Sequence, residues 1–225
     1  MNNVIVALDF EETQEVLDFL TLFEKPIYVK IGMELFYNGG ANFLKEIKDQ
    51  GHKIFLDLKL HDIPNTVERA MRILGRLDVD MVNLHAAGGL EMMKAARRAL
   101  GDDTILLAVT QLTSTSEEEM QTEQLIKVSL EESVLNYAKL AEEAGCNGVV
   151  CSPLESKIIH ENTQAGFLTV TPGIRLASND VQDQIRITTP SKAKELGSDY
   201  IVVGRPITRA EDPIQAYNQI VKEFA

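Results

Sequence analysis

Residues 57–64 read Asp-Leu-Lys-Leu-His-Asp-Ile-Pro and follow directly on the apolar run Ile54-Phe55-Leu56. Side chains of a β-strand alternate between faces, so Asp57 and Lys59 share one face while Leu58 and Leu60 take the other. Opposite charges would then share one face at the end of a core strand. Buried charges are costly unless paired, and such a pair points to chemistry that needs an ammonium held beside a carboxylate. A solvated ion pair at a surface strand end is the alternative, and the apolar stretch leading into the charges weighs against it. Asp62 lies just beyond, where Ile63-Pro64 breaks the strand and suits the first turn of a helix. A second lysine, Lys30, stands between Val29 and Ile31 in another apolar run. An ammonium there calls for an anionic partner, and Asp57 on a neighbouring strand is the natural one.

These residues must be carried by a scaffold, and the rest of the chain indicates which. Short β-branched runs at 4–9, 27–32, 53–60, 81–87, 104–112, 148–152, 167–172 and 200–204 read as strands. Between them lie amphipathic helical patterns at 12–23, 41–50, 67–77, 91–100, 131–144, 154–161 and 192–196, and a last one at 213–225. Strict alternation leaves two closures, an open doubly wound sheet or a (β/α)8 barrel. Eight units, short connectors and no Gly-x-Gly-x-x-Gly turn after the first strand favour an α/β fold of the TIM-barrel type. No linker rich in Pro, Gly or Ser interrupts the pattern, so residues 1–225 read as a single catalytic domain. The longest connections, 113–124 after strand five and 175–190 after strand seven, fall on the side where barrel active sites are built.

On that scaffold, polar residues collect at the C-terminal ends of strands: Asp9, Lys30, the Asp57/Lys59/Asp62 group, Asn83 with His85, Thr113-Ser114, Thr171-Pro172-Gly173 and Gly204-Arg205. Asp9 reads equally as the N-cap of a helix starting at Glu11, and His85 reads first as a satisfied core histidine. Loops after strands seven and eight of many barrels bind a phosphate through glycine backbone and a helix N-terminus. Gly204 would let a phosphate approach the backbone, Arg205 would supply a forked cationic donor, and Gln184 would fold over the same group.

Composition narrows the partners. The formal charge is −12, which argues against nucleic acid. No apolar run approaches a membrane span and the N-terminus lacks a basic signal-peptide start, so a cytoplasmic protein is expected. Cys146 and Cys151 read as buried reduced thiols, and the four histidines show no metal-ligand spacing, so no structural metal is expected.

With these residues assembled, the chain resembles the orotidine 5′-phosphate decarboxylases, in an order of elements like the bacterial branch. The resemblance rests on Val6-Ala7-Leu8-Asp9, Val29-Lys30-Ile31-Gly32, the run 55–66 around Asp57-Leu58-Lys59-Leu60-His61-Asp62, Val109-Thr110-Gln111-Leu112-Thr113-Ser114, Thr171-Pro172-Gly173-Ile174-Arg175 and Val202-Val203-Gly204-Arg205. It implies conversion of orotidine 5′-phosphate to uridine 5′-phosphate (UMP) and CO2 without metal or organic cofactor. Lys59 would stabilise and protonate the C6 carbanion. Lys30 and Asp57 would hold Lys59 and bind ribose hydroxyls, with Asp9 on the sugar and Asp62 near the leaving carboxylate. Thr113 and the backbone near Pro172 would recognise the pyrimidine, while Gln184, Gly204, Arg205 and Arg175 would grip the phosphate. The resemblance also implies a homodimer with shared active sites, in which Asp62, Ile63 and Thr66 reach into the partner's site.

Two rivals remain. Sugar-phosphate enzymes of the same superfamily, such as 3-keto-L-gulonate 6-phosphate decarboxylase or hexulose phosphate synthase, share the Asp-x-Lys-x-x-Asp core but resemble metal enzymes with an additional carboxylate about where Lys30 stands. A lysine there would repel Mg2+. A non-catalytic nucleotide-binding module would have little reason to keep two lysines and three aspartates at converging strand ends.

Overall fold

The computed structural model describes residues 2–176 and 188–225. Strands β1 (Val4–Ala7), β2 (Tyr28–Gly32), β3 (Lys53–Leu60), β4 (Met81–His85), β5 (Ile105–Val109), β6 (Gly148–Val150), β7 (Leu168–Thr171) and β8 (Tyr200–Val203) pair in parallel in chain order. Val4, Ile5 and Val6 of β1 pair with Ile201, Val202 and Val203 of β8, which closes the barrel. The (β/α)8 architecture expected from the alternating runs is therefore the one observed. Most strands stop short of the expected C-terminal end, because residues past the last ladder bond turn into the barrel mouth.

The helices are α1 (Thr13–Leu20), α2 (Met33–Asp49), α3 (Pro64–Leu74), α4 (Leu90–Ala99), α5 (Glu117–Thr122), α6 (Leu130–Glu143), α7 (Ser156–Asn162), α8 (Pro190–Glu195), α9 (Arg205–Thr208) and α10 (Pro213–Phe224). Three of these depart from the sequence expectation. Helix α2 starts eight residues before the expected residue 41 and passes a kink at Gly40, whose φ of 60° is left-handed and suits glycine. Helix α5 lies in a connection read as irregular; Ser116 accepts from the Glu119 N–H and Glu119 returns a bond to the Ser116 N–H, a capping box. Its three consecutive acidic residues hide any apolar period. Helix α9 is a single turn, too short to carry periodicity.

Alternation along the strands sorts side chains into two cores. Ile5, Ala7, Tyr28, Phe55, Met81, Leu107, Val170 and Val202 form a cluster that contains no helix residue, and this is the barrel interior. Their neighbours of opposite parity, including Val6, Val29, Ile31, Leu56, Leu58, Val82 and Leu84, pack outward against Val16, Leu44, Met71, Ala138 and Ile220 of the helices. At Gly148 a Cβ would run into the Leu168 carbonyl oxygen, so β6 can approach β7 closely only with glycine there.

Candidate active site

The inward-facing line on several strands passes from apolar core to polar mouth. On β1 it runs Ile5, Ala7 and then Asp9; on β2, Tyr28 then Lys30; on β3, Phe55 then Asp57; on β4, Met81 then Asn83. Period-2 alternation thus delivers every one of these polar side chains above the same interior layer. A cavity of about 490 Å³ opens there, floored by Ala7, Phe55 and Val202. Asp9, Lys30, Asp57, Lys59, Thr113, Pro172, Arg175, Gly204 and Arg205 all line it.

The charged centre is a chain of shared contacts. Lys59 Nζ donates to Asp57 Oδ1 at 2.6 Å. Lys30 Nζ lies 3.4 Å from Asp57 Oδ2 and 3.4 Å from Asp9 Oδ1. Each oxygen of Asp57 therefore serves a different ammonium. The Lys30 and Asp57 side chains are only 14% and 10% exposed, so water screens their contact little. Burial alone would push the Lys30 ammonium down, but the carboxylates of Asp57 and Asp9 outweigh it and hold its pKa above the ordinary lysine value. Burial likewise would push Asp57 up, and Lys30, Lys59 and hydrogen bonds from Lys59 and Asn83 reverse that, keeping its carboxyl below the usual carboxylate range.

Around this centre β3 is not regular. Leu56 pairs with Val82 and Leu60 with Leu84, so Asp57, Leu58 and Lys59 stand opposite the single residue Asn83. Lys59 has a φ of 51°, in the left-handed region that non-glycine residues avoid at a cost of about 1–2 kcal/mol. The bulge keeps the expected sidedness, with Leu58 in the outer core and Lys59 toward the cavity. Nothing in the spacing of the sequence announces it. Gly204 also sits tightly: a Cβ there would lie 3.2 Å from Asp9 Oδ2, so the glycine leaves room for a carboxylate of the site.

Two readings from the sequence are corrected here. Asp9 is not a helix cap, since the N-cap of α1 is Glu12, whose N–H bonds Glu15 Oε2 at 3.2 Å, and Asp9 pairs with Lys30. His85 is only half-buried at the end of β4, its ring centroid 5.7 Å from that of His61, so it is no core histidine. Burial, then the neighbouring His61 and Lys59, lower its pKa and favour the neutral ring.

Asp62, Ile63 and Thr66 are exposed and do not line the cavity of their own barrel. Asp62 Oδ1 accepts from the Ile63 N–H at 2.6 Å, and Pro64 opens α3. Gln184 lies outside the described residues, as does most of the connection after β7. The ends of that connection are joined: the Arg175 N–H bonds the Thr188 carbonyl at 2.9 Å, and the Thr188 N–H bonds the Gly173 carbonyl at 3.0 Å. Arg209 lines the cavity as well and was not anticipated. Its spacing of four from Arg205 was the available signal, since i and i+4 share one helix face.

The sequence matches the model of the orotidine 5′-phosphate decarboxylase / HUMPS family over residues 2–220. The chain belongs to that family. An orotidine 5′-phosphate decarboxylase of Staphylococcus haemolyticus is 58% identical over 223 residues, 98% of this chain and 97% of the relative. One of Streptococcus suis is 57% identical over 222 residues, 98% of this chain and 96% of the relative. The crystal structure of orotidine 5′-phosphate decarboxylase from Lactobacillus acidophilus superimposes with a TM-score of 0.89 at 45% identity, covering 100% of this chain and 99% of that one. All the cavity residues described above fall within the segment that matches the family.

Proposed function

We propose that this carboxy-lyase of the orotidine 5′-phosphate decarboxylase family converts orotidine 5′-phosphate to UMP and CO2 without metal or organic cofactor, as a single catalytic domain. The observation that carries the reading is one buried carboxylate, Asp57, pairing with two lysines at 2.6 and 3.4 Å in the wall of a cavity. When the C6–carboxylate bond breaks, CO2 leaves and the electron pair stays on C6, which has no adjacent carbonyl to delocalise it. A fixed ammonium beside C6 stabilises that charge as it develops, then transfers its proton to C6 and is reprotonated by solvent. Lys59 fills this role, because Asp57 holds its Nζ toward the cavity. Lys30, Asp57 and Asp9 bind the ribose. Thr113 and the backbone at Pro172 meet the pyrimidine, and Arg205, Gly204, Arg175 and Gln184 take the phosphate, joined by Arg209.

Lys30 supports the metal-free choice over the sugar-phosphate rivals. Its ammonium lies 3.4 Å from each of Asp9 and Asp57, in the place a divalent cation would need. The −12 charge of the chain makes this local cationic group the more necessary for an anionic substrate. Asp62 acts from the other subunit of a homodimer, beside the leaving carboxylate, a reading supported by the exposure of Asp62, Ile63 and Thr66 away from their own cavity. A cytoplasmic setting suits this substrate, and no helix among the described residues is long and apolar enough to cross a membrane.

The test is the fall in orotidine 5′-phosphate absorbance on adding purified, exhaustively chelated protein. Turnover without additives is expected. No change at any pH at which the protein stays folded would leave a nucleotide-binding module; activity that appears only when Mg2+ is returned would favour the metal-dependent rivals.

A further inference from the structure

Asn83 is the single residue of β4 opposite the bulged triplet of β3, and it bonds both ends of that triplet. Its Oδ1 accepts from the Lys59 backbone N–H at 2.8 Å, and its Nδ2 donates to Asp57 Oδ1 at 2.7 Å. Asp57 Oδ1 in turn takes the Lys59 Nζ at 2.6 Å. The contacts form a closed ring: Asn83 to Asp57, Asp57 to the Lys59 side chain, and the Lys59 backbone back to Asn83. Asn83 is 1% exposed, so neither bond competes with solvent. Only one orientation of the amide is possible, because the reverse would set a donor against the Lys59 N–H and an acceptor against the Asp57 carboxylate. Aspartate in its ionised form, leucine or serine could not serve both ends.

The ring matters because Lys59 is held at a φ of 51°, which the chain would relax if released. A lysine side chain has four rotatable bonds, so the position of its Nζ depends on where its backbone is fixed and on which carboxylate oxygen it meets. Asn83 sets both. We propose that Asn83 is a positioning residue for the decarboxylation, clamping the bulge so that the Lys59 ammonium stands ready at C6. The inference rests on the assignment of Lys59 as the proton donor. Asn83 itself touches neither substrate nor the reacting atoms, and it does not line the cavity.

The discriminating variants are Asn83→Leu, which removes both bonds while keeping the branching at Cγ, and Asn83→Asp, which keeps an acceptor for the Lys59 N–H but faces Asp57 with a second carboxylate. Each is assayed for kcat per UMP-binding site, for the UMP dissociation constant and for its pH profile, beside the wild type. A positioning role predicts kcat lowered at least about 30-fold in both, or about 2 kcal/mol of barrel-mouth stabilisation of the transition state, with UMP affinity changed less than about threefold. It further predicts that the Asn83→Asp deficit narrows as pH falls, because a protonated carboxyl donates to Asp57 as the amide did. The Asp variant alone carries the test if the Leu variant does not fold. The proposal is overturned by a kcat per site within about threefold of wild type, by equal losses in kcat and UMP affinity, or by an Asn83→Asp deficit that is flat with pH. A wild type with no turnover overturns the decarboxylase reading itself, and the positioning role with it.

Discussion

Asp57→Asn removes a charge while keeping shape, and it probes the electrostatic centre directly. At an effective dielectric constant of about 20, unit charges at the 3.4 Å of Lys30–Asp57 attract by roughly 5 kcal/mol, and at the 2.6 Å of Lys59–Asp57 by roughly 6 kcal/mol. Desolvation offsets much of this. Lys59 is 28% exposed and can turn toward water, whereas Lys30 at 14% cannot. Its remaining neighbour Asp9 is 63% exposed, where a pair is worth only about 0–1 kcal/mol. Breaking one partner of a buried pair costs about 3–5 kcal/mol, so with Asp9 still present the expected loss is about 3 kcal/mol, or roughly 6–12 °C in Tm for a chain of this size. The sign with pH follows from Lys30. In the wild type its pKa is raised, so its contribution is complete below the ordinary lysine value and is lost only as pH rises through the higher folded value. In the variant burial prevails, the pKa falls below the ordinary value, and the folded state gains stability as pH rises. Urea unfolding of both proteins between about pH 7 and pH 10 should therefore show the gap narrowing toward alkaline pH. A loss under about 1 kcal/mol at neutral pH, or a gap constant across that range, would refute the account.

Lys59→Ala should lower turnover at least about a thousandfold while UMP still binds, because the proposed proton donor is separate from the proposed phosphate grip; kinetics and product binding on one preparation check this, and substantial residual turnover removes Lys59 from its role. Arg205→Ala should cost about a hundredfold in kcat/KM on orotidine 5′-phosphate and less than about threefold on orotidine, since a charge-assisted bond to the phosphate is lost only with the former; equal losses would count against the grip. Orotidine itself should be a very poor substrate in the same assay, because binding energy at the phosphate, remote from C6, then contributes nothing to the reaction. Lys59→Ala and Asp62→Ala, each inactive alone, should complement after joint unfolding and refolding, with about a quarter of all sites recovered when exchange is random; a mixture no more active than the mean of its parents would place Asp62 in its own chain's site.

Much of the site was legible because strand periodicity is local. Asp57 and Lys59 at a spacing of two were expected to share a face, and both reach the cavity although β3 bulges between them; Lys30 between Val29 and Ile31 was expected to be buried and in need of an anion. Eight alternating units with short connectors favoured the barrel over an open sheet, since parallel strands must be returned by crossovers; the strands are apolar on both faces, so their inner face was marked only by the polar residues at their ends. The helices that escaped notice, α5 and α9, are too short or too acidic to display a period, and their signals were a capping box and a pair of arginines four apart. Asp9 was ambiguous for another reason: a carboxylate before a helix caps as readily as it pairs, and only the arrival of Lys30 at 3.4 Å chooses.

What the sequence by itself determined is the identity of the charged residues and the parity of those on regular strand, Lys30 and Asp57, because covalent spacing and the alternation of a strand require nothing from the rest of the chain. Only the tertiary structure decided which oxygen of Asp57 meets which lysine, that β3 bulges against Asn83, and that Lys59 is held in a left-handed conformation. Those depend on the register between β3 and β4, which joins residues 24 and 26 positions apart. Such a register is set by packing of the whole barrel and not by any local preference of Lys59, whose own preference is for the opposite sign of φ.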